Sequence, residues 1–261
     1  MIERKLGWKK QKPDNRDLTI QNLKMASVLP TVLPPAVNLR KWCSPVEDQN
    51  DLGSCTANAW SGILEFNQNK YPISGSRYFD LSRLFIYYNE RVLEDTVNED
   101  SGAELRDGAR AINIYGVCPE YKWPYITSKF AVEPSSDCYA AALPNHIHNY
   151  YALNTFNDLK TSLAGGHPFV FGIAVYDSFL SDAVANTGIV PMPNQKTERI
   201  RGGHAIMCVG YNDYEGRFLI RNSWGKDWGL KGTNAGYCTL PYDYLANSHL
   251  ASDFWTSVKE T

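Results

Sequence analysis

Three side chains of the sequence, Cys55, His204 and Asn222, could together carry out thiol acyl transfer. This chemistry needs a nucleophile, a base within hydrogen-bond reach and a group that fixes the tautomer of the base. The three occur in the order Cys, His, Asn, with separations of 149 and 18 residues. Singly, each is ordinary, because most cysteines and histidines in buried elements are structural. Their joint order and spacing therefore carry the prediction.

The local setting of each residue suits such a role. Cys55 follows a loop containing Gly53 and opens an apolar helical pattern, where unpaired backbone N–H groups and the helix dipole favour a thiolate. His204 follows two glycines, which allow another chain to approach the imidazole closely. Asn222 stands at the end of a strand-like run, before a turn that carries Trp224. We therefore expect these three elements to meet at one site.

Hydrophobic periodicity divides the chain into a helical first half and a β-rich second half. The helical pattern predicts helices at 55–68, 81–94, 103–115 and 158–164. Runs rich in β-branched and aromatic residues predict strands at 168–175, 204–209, 217–220 and 236–239. This order favours an α+β protein with two unlike lobes, a mainly helical one at about 44–145 and a mainly β one at about 146–261. The cleft between two lobes is the natural place for a site.

Composition narrows the classes of partner. The 261 residues are 43% hydrophobic, enough to fill one large domain or two packed lobes. The net charge of −2 provides no general attraction to nucleic acid or to anionic membranes, so we expect neither as a partner. No stretch of eighteen apolar residues predicts a spanning helix, and the N-terminus lacks the apolar core of a secretory signal. By default this favours a cytoplasmic location.

Charge is unevenly distributed along the chain. Residues 1–32 contain seven Lys/Arg and three Asp/Glu, so the remainder is acidic. The stretch 27–35, with three prolines, is restricted to extended backbone, and we place the boundary of the catalytic body, residues 33–261, within it. Two interpretations of the basic segment stay open. It either docks on the acidic body or forms a mobile, solvated tail.

Metal sites and a disulfide framework are not indicated. Six cysteines are widely spaced without a Cys-x-x-Cys pair. His146 and His148 stand two apart in a predicted strand with no acidic or thiol partner nearby, so we expect them to share a face without binding a metal. We therefore predict no metal and no cofactor.

The motifs around the three residues resemble the papain family of cysteine peptidases. The resemblance is carried by Gln49, Gly53-Ser54-Cys55, Gly203-His204-Ala205, Val209-Gly210-Tyr211, Asn222-Ser223-Trp224-Gly225 and Trp228-Gly229. It spans nearly all of residues 33–261, since Leu33-Pro34-Pro35-Ala36-Val37-Asn38-Leu39-Arg40 is similar to the mature start of the family. It implies a papain-like fold in which the active-site cleft separates a helical left lobe from an antiparallel, β-barrel-like right lobe.

The resemblance also implies roles for single residues. Cys55 would be the nucleophile and His204 the acid/base, largely as thiolate and imidazolium, with Asn222 accepting or donating a hydrogen bond that aims the ring. Gln49 and the Cys55 N–H would hold the oxyanion. Substrate-binding residues would be Gly102 and Ala103 on the unprimed edge, Gly203, and Trp224, which would also shield the His204–Asn222 bond. A deeper pocket is expected from Glu104, Leu105, Gly172 and Ala205.

The sequence departs from the family pattern in two places. Leu52 and Thr56 replace the cysteine and tryptophan that usually flank the nucleophile's loop, so the disulfide formed by that cysteine is absent and packing must hold the helical lobe. Only about 32 residues precede the catalytic body, where the family usually has a long propeptide. We expect this segment to cover part of the cleft as an intramolecular inhibitor, and to be trimmed between about residues 26 and 35.

Two other function classes are consistent with the same residues. An enzyme with this triad could transfer the acyl group to an amine, as a ligase or transpeptidase does. A non-catalytic binding protein could retain the scaffold and use the cleft for recognition. The second class predicts loss of a catalytic residue, whereas Cys55, His204, Asn222 and Gln49 are all present. The sequence therefore favours an endopeptidase acting on peptides or proteins.

Overall fold

The computed structural model of the chain describes residues 4–22, 29–72 and 78–258. Residues 26–28, at the start of the predicted trimming region, lie outside these ranges.

Three helices form the first half of the fold: α1 (Cys55–Lys70), α2 (Arg83–Leu93) and α3 (Leu105–Tyr115). They agree with the predicted ranges to within two residues at each end. Helix α1 is buried from its first residue to position 67 and packs against α2, α3 and the sheet. The Trp60 indole N–H donates to the Leu105 carbonyl over 2.9 Å, which fixes α1 against the start of α3.

Four shorter helices complete the α-helices of the described residues: α4 (Ser136–Ala142), α5 (Phe156–Ala164), α6 (Asp182–Thr187) and α7 (Tyr242–Ala246). Helix α5 was predicted, and it begins with a capping box between Thr155 and Asp158. The other three were missed because they are too short to show helical periodicity. No helix of the described part is long and apolar enough to cross a membrane.

Seven antiparallel strands form the second layer: β1 (Ala36–Asn38), β2 (Tyr150–Ala152), β3 (Phe169–Tyr176), β4 (Ile200–Asn212), β5 (Arg217–Arg221), β6 (Tyr237–Pro241) and β7 (Ala251–Ser257). Their order is β2-β7-β3-β4-β5-β6, with β1 paired to β4. The fold is α+β, as predicted, but the sheet is open and not a closed barrel. Strand β4 lies at its centre, and packs on α1.

A buried polar cluster ties α1 to the strand that precedes Asn222. Arg221, at the end of β5, donates to the Ser44 hydroxyl over 3.0 Å and to the Pro45 carbonyl over 2.5 Å. The Ser44 hydroxyl in turn donates to Glu65 of α1 over 2.5 Å. Burial raises the pKa of Glu65 to about 7, although the nearby Arg221 opposes the shift. The cluster fixes the position of β5 relative to α1, and hence of Asn222.

A second polar bridge holds the loop before Cys55, where the expected family disulfide is absent. Leu52 is buried, as packing requires. The Asp100 carboxylate also accepts a hydrogen bond from the Gly53 N–H over 3.0 Å and another from the Tyr87 hydroxyl. The Tyr87 oxygen accepts from the Gly102 N–H over 3.1 Å. Asp100 and Tyr87 therefore join the loop before Cys55 to Gly102, a connection that was not expected from the sequence.

Replacing Tyr87 with phenylalanine tests this bridge. The change leaves the Gly102 N–H without its acceptor and Asp100 without one donor, so we expect the free energy of unfolding to fall by about 1–3 kcal/mol. Urea denaturation measures this change. Tyr121→Phe is the matched control, because Tyr121 is 74% exposed. Equal stability of the two variants would contradict the structural role of the bridge.

Candidate active site

Cys55 is the first residue of α1 and is fully buried. Its thiol lies against β4, where the backbone N–H of Ala205 is within hydrogen-bonding reach, as are those of Gly7 and Thr56. Burial raises the pKa of the thiol to about 12, and these N–H groups oppose the rise only in part. Cys55 therefore contacts the strand that carries His204, as expected from the sequence, and the contact is made by Ala205.

The hydrogen bonds of His204 define its tautomer. Its Nε2 atom lies 2.8 Å from Asn222 Oδ1, and the Ser223 N–H donates to the same oxygen over 2.8 Å. An atom that accepts a backbone N–H must be the amide oxygen, so Nε2 of His204 carries the proton and donates it. In the neutral ring, Nδ1 then holds a free lone pair, and it has no hydrogen-bond partner among the described residues. Asn222 therefore acts as an acceptor, a choice that the sequence left open.

The covered site favours neutral forms of both groups. Burial lowers the pKa of His204 to about 4, opposed by the Asn222 hydrogen bond, while the pKa of Cys55 is raised. Removing two charges from water costs more than their attraction returns unless further polar groups solvate them. Burial of the covered site therefore opposes the predicted thiolate–imidazolium pair.

Aromatic side chains cover the imidazole. The Trp224 ring stacks on His204 with a centroid distance of 4.8 Å, and Trp228 and Phe179 pack against Trp224 at 5.1 and 5.5 Å. Trp224 is 2% exposed and lies where the sequence placed a shield for the His204–Asn222 bond. Phe179 was missed, because no motif marks it.

Gln49 is fully buried, and its amide is held by three hydrogen bonds. Its Nε2 donates to the Leu52 carbonyl over 3.0 Å and to the Lys5 carbonyl over 2.9 Å, while its Oε1 accepts from the Ser223 hydroxyl over 2.7 Å. The Ser223 contact fixes which end of the amide faces the cleft. Ser223 was quoted within the Asn222 motif but was not assigned a role, so this positioning residue was missed.

Residues 4–9 of the N-terminal segment, which we call the tail strand, occupy the cleft. The Ala103 N–H donates to the Gly7 carbonyl over 2.9 Å, and the Lys9 N–H donates to the Ala103 carbonyl over 3.0 Å. On the opposite wall, the Trp8 N–H donates to the Gly203 carbonyl over 3.0 Å. Ala103 and Gly203, two of the predicted substrate-binding residues, therefore bind extended backbone, and the chain that they bind here is the protein's own.

Two glycines allow the tail strand to lie this deep. A Cβ atom on Gly102 would lie 1.9 Å from the Gly7 carbonyl oxygen, and one on Gly172 would lie 1.8 Å from the Trp8 indole. The Trp8 ring therefore fills a pocket at Gly172, one of the four residues expected to form the deeper pocket. Of the other three, Ala205 contributes its N–H to the Cys55 thiol, the Leu105 carbonyl binds Trp60, and the Glu104 N–H donates to Glu94.

Ion pairs hold the basic side chains of the tail strand. The Lys5 ammonium lies 2.6 Å from Asp100, and that of Lys9 lies 2.8 Å from Glu94. Arg4 pairs with Asp48, with 2.8 Å between Nη2 and Oδ2, and also donates to the Trp224 carbonyl over 3.2 Å. Of the two interpretations of the basic segment, docking on the acidic body describes residues 4–22.

The tail strand leaves the other end of the cleft open. A cavity of about 990 Å³ lies alongside residues 4–6 at this end, and the residues that line it include Leu180, Asp182, Trp224, Asp227 and Trp228. The tail strand thus runs from this open end, past Cys55, to the edge formed by Gly102 and Ala103.

The two histidines weighed as metal ligands lie elsewhere. The rings of His146 and His148 stack with a centroid distance of 6.5 Å, and His146 Nδ1 lies 3.0 Å from the Asn113 carbonyl oxygen. Within the described residues, no group of three or more His, Cys, Asp or Glu side chains is arranged to hold a metal ion.

Comparison with known proteins confirms the predicted papain-like fold. The model of the family described as papain family cysteine protease matches residues 33–243. An uncharacterized peptidase C1-like protein of Acanthamoeba polyphaga mimivirus is 41% identical, over 97% of this chain and 86% of that protein. A cathepsin L-like proteinase of Fasciola hepatica is 24% identical, over 77% of this chain and 59% of its own length. The crystal structure of xylellain, a cysteine protease from Xylella fastidiosa, superposes with a TM-score of 0.87 at 38% identity, covering 100% of this chain and 99% of that one.

Substituting Ser223 with alanine tests the orientation of Gln49. Without the hydroxyl, the amide loses the contact that aims Nε2 into the cleft, so we expect kcat/KM for a fluorogenic peptide to fall by about tenfold. Gln49→Ala removes the donor itself, and we expect a fall of about 10²–10³-fold. In the Gln49→Ala background, Ser223→Ala should have no further effect. Additive losses in the double variant would show that Ser223 does not act through Gln49.

Proposed function

The chain belongs to the papain family of cysteine peptidases, and we propose that it is an endopeptidase that cleaves peptide bonds through a thioester on Cys55. The observation that carries the proposal is a peptide carbonyl already in place. The Lys5 carbonyl oxygen lies 2.9 Å from Gln49 Nε2, and the next residue but one, Gly7, lies at the Cys55 thiol. The site therefore accommodates extended peptide with a carbonyl group on its hydrogen-bond donor.

In this mechanism, the thiol proton passes to Nδ1 of His204, whose lone pair is free because the ring proton is on Nε2, held there by the hydrogen bond to Asn222 Oδ1. The thiolate of Cys55 then attacks the substrate carbonyl carbon. Two donors bind the resulting oxyanion, the Gln49 amide and the Cys55 N–H, which as the first N–H of α1 has no partner within the helix. His204 next protonates the leaving amine, and the acyl group remains on sulfur as a thioester.

The second half of the reaction uses the same groups. Nδ1 of His204 takes a proton from water, the water oxygen attacks the thioester carbon, and the thiol leaves with the proton from the imidazolium. Asn222 holds the ring in one tautomer throughout, and the Trp224 ring keeps water from the hydrogen bond between them. The groove between Ala103 and Gly203 would bind substrate backbone on the unprimed side, as it binds the tail strand.

We further propose that the N-terminal segment inhibits the enzyme, so that the intact chain is a zymogen. The resemblance places the unprimed side, which binds the part of a substrate before the scissile bond, at Gly102 and Ala103. A substrate would therefore run from that edge toward Trp224. The tail strand runs in the opposite direction, from Arg4 at Trp224 to Lys9 at Ala103. Its peptide bonds are presented backwards, which would protect them from cleavage while they block the cleft.

The pKa shifts of Cys55 and His204 also support inhibition by the tail strand. Burial beneath the tail strand favours the neutral thiol and the neutral imidazole. Departure of the tail strand would return water to the site and reduce both shifts. The covered state binds fewer protons at His204 than an uncovered state does, so falling pH favours uncovering through this group. The tail strand would thus block substrate and also hold the nucleophile in its unreactive form.

Replacement of Cys55 by serine tests the nucleophile. The hydroxyl is a far weaker nucleophile in this site, so we expect loss of peptide cleavage by at least about 10³-fold, together with loss of labelling by a thiol-reactive peptidyl epoxide. Mass spectrometry of the labelled wild-type chain should locate the adduct at Cys55. Cys118→Ser is a control, because Cys118 is also buried but lies outside the site. An adduct on another cysteine, or cleavage that survives in Cys55→Ser, would contradict the mechanism.

Replacement of Trp8 by alanine in the intact chain tests inhibition. Loss of the indole from its pocket at Gly172 removes the largest apolar contact of the tail strand, so we expect peptidase activity and the rate of Cys55 alkylation by iodoacetamide to rise by at least about tenfold at pH 7. Leu18→Ala is the matched control, because Leu18 lies in the same segment, outside the cleft, and is 46% exposed. Full activity of the intact wild-type chain, with an uncut N-terminus, would contradict inhibition.

A further inference from the structure

Asp100 presents one carboxylate oxygen to the cleft beside the nucleophile. Its Oδ1 accepts from the Gly53 N–H over 3.0 Å and from the Tyr87 hydroxyl. Its Oδ2 lies 2.6 Å from the Lys5 ammonium. Asp100 is only 13% exposed at its side chain, so the first oxygen is locked in place and the second is directed at a cation. The carboxylate is therefore preorganised before any substrate arrives.

Lys5 contacts both Asp100 and Gln49, the first through its ammonium group and the second through its backbone carbonyl. Its carbonyl oxygen accepts from Gln49 Nε2 over 2.9 Å, while its side chain reaches Asp100. One lysine residue thus joins the Gln49 amide to Asp100 Oδ2, an oxygen that also lies 3.3 Å from the Gly53 nitrogen.

Asp100 lies on the unprimed side of Cys55. It is bonded to Gly53, two residues before the nucleophile, and through Tyr87 to the Gly102 edge. In a substrate that runs from this edge toward Trp224, the residue that contributes the reacting carbonyl, P1, has its Cα atom on this side. The long side chain of a P1 lysine or arginine then extends over the Gly53–Gly102 gap toward Asp100.

We propose that Asp100 is a specificity-determining residue that selects peptides with lysine or arginine at P1. The inference rests on the proposed function, because it assigns a substrate class to the same cleft. In the intact chain, Lys5 is bound to Asp100 and so blocks a substrate side chain from binding there. The ion pair is partly exposed, since the Lys5 side chain is 48% exposed, so the expected preference is about fivefold and not several hundredfold.

A competition between two peptides in one tube tests the proposal. The peptides are identical except at P1, where one has lysine and the other norleucine, which has an uncharged chain. Their relative rates of cleavage give the ratio of the two kcat/KM values, and the fraction of chains covered by the tail strand cancels from this ratio. With the intact wild-type chain at low salt we expect about fivefold faster cleavage after lysine, and a smaller preference in 0.5 M NaCl as screening increases.

The Asp100→Asn variant removes the charge and retains an oxygen for Gly53 and Tyr87. We expect the ratio of kcat/KM for the lysine peptide to that for the norleucine peptide to fall to about 1. Cleavage of the norleucine peptide by the intact variant should rise at the same time, because Lys5 loses its partner and the tail strand is held less tightly. A purely structural role for Asp100 would lower both rates together and leave the ratio unchanged.

Glu94→Gln is the matched control. Glu94 also pairs with a lysine of the tail strand, Lys9, but lies beyond the edge at Ala103 and not beside the reacting carbonyl. This variant should keep the wild-type P1 ratio. A second peptide pair, with the lysine and norleucine moved to P1′, should show no dependence on Asp100.

Several results would overturn the inference. They are equal cleavage of the two P1 peptides by the wild-type chain, a preference that is independent of salt, a preference unchanged in Asp100→Asn, or a preference carried by P1′. Each of these leaves the proposed peptidase function intact, because cleavage is still observed. Cleavage of neither peptide, even in the Trp8→Ala background, would contradict the proposed function and this inference together.

Discussion

The packing of α1 on β4 is the constraint on which the rest of the site depends. The buried helix brings Cys55 to the N–H of Ala205, the residue after His204, so that the proposed nucleophile, from a helix, and the proposed base, from the sheet, lie in one buried site. Neither lobe can supply both groups. The cluster of Arg221, Ser44 and Glu65 fixes α1 relative to β5, and Asn222 follows Arg221 directly. The hydrogen bond between Asn222 and His204 is therefore set by the same contact between lobes.

Hydrogen bonds to backbone decide the orientation of the polar groups in this site. Asn222 Oδ1 is identified as an oxygen because the Ser223 N–H also donates to it, and this assigns the proton on His204. Ser223 contributes again through its hydroxyl, which fixes the amide of Gln49. One dipeptide of the turn after β5 thus orients both the base and the proposed oxyanion donor, which explains why Asn222, Ser223 and Gln49 are all buried.

The tail strand combines three kinds of interaction with the cleft. Backbone hydrogen bonds pair it with Ala103 and Gly203, the Trp8 ring lies on Gly172, and Lys5 and Lys9 pair with Asp100 and Glu94. Burial by this segment favours the neutral forms of Cys55 and His204, since both charged states lose hydration. Occupation of the cleft and suppression of the ion pair are thus two effects of the same burial.

The sequence by itself determined the chemistry and most of the long elements. The order and spacing of Cys55, His204 and Asn222 indicated thiol acyl transfer, and periodicity located α1, α2 and α3, because side-chain type and local spacing are written directly in the chain. Short elements such as α6, with six residues, and β2, with three, were missed because so few residues do not reveal a period. Only the tertiary structure showed the contacts of Asp100, Tyr87 and Ser223, the direction of the tail strand and the burial of Cys55 and His204. Each of these depends on which distant groups become neighbours and on how much water they exclude, and neither quantity can be read from local sequence.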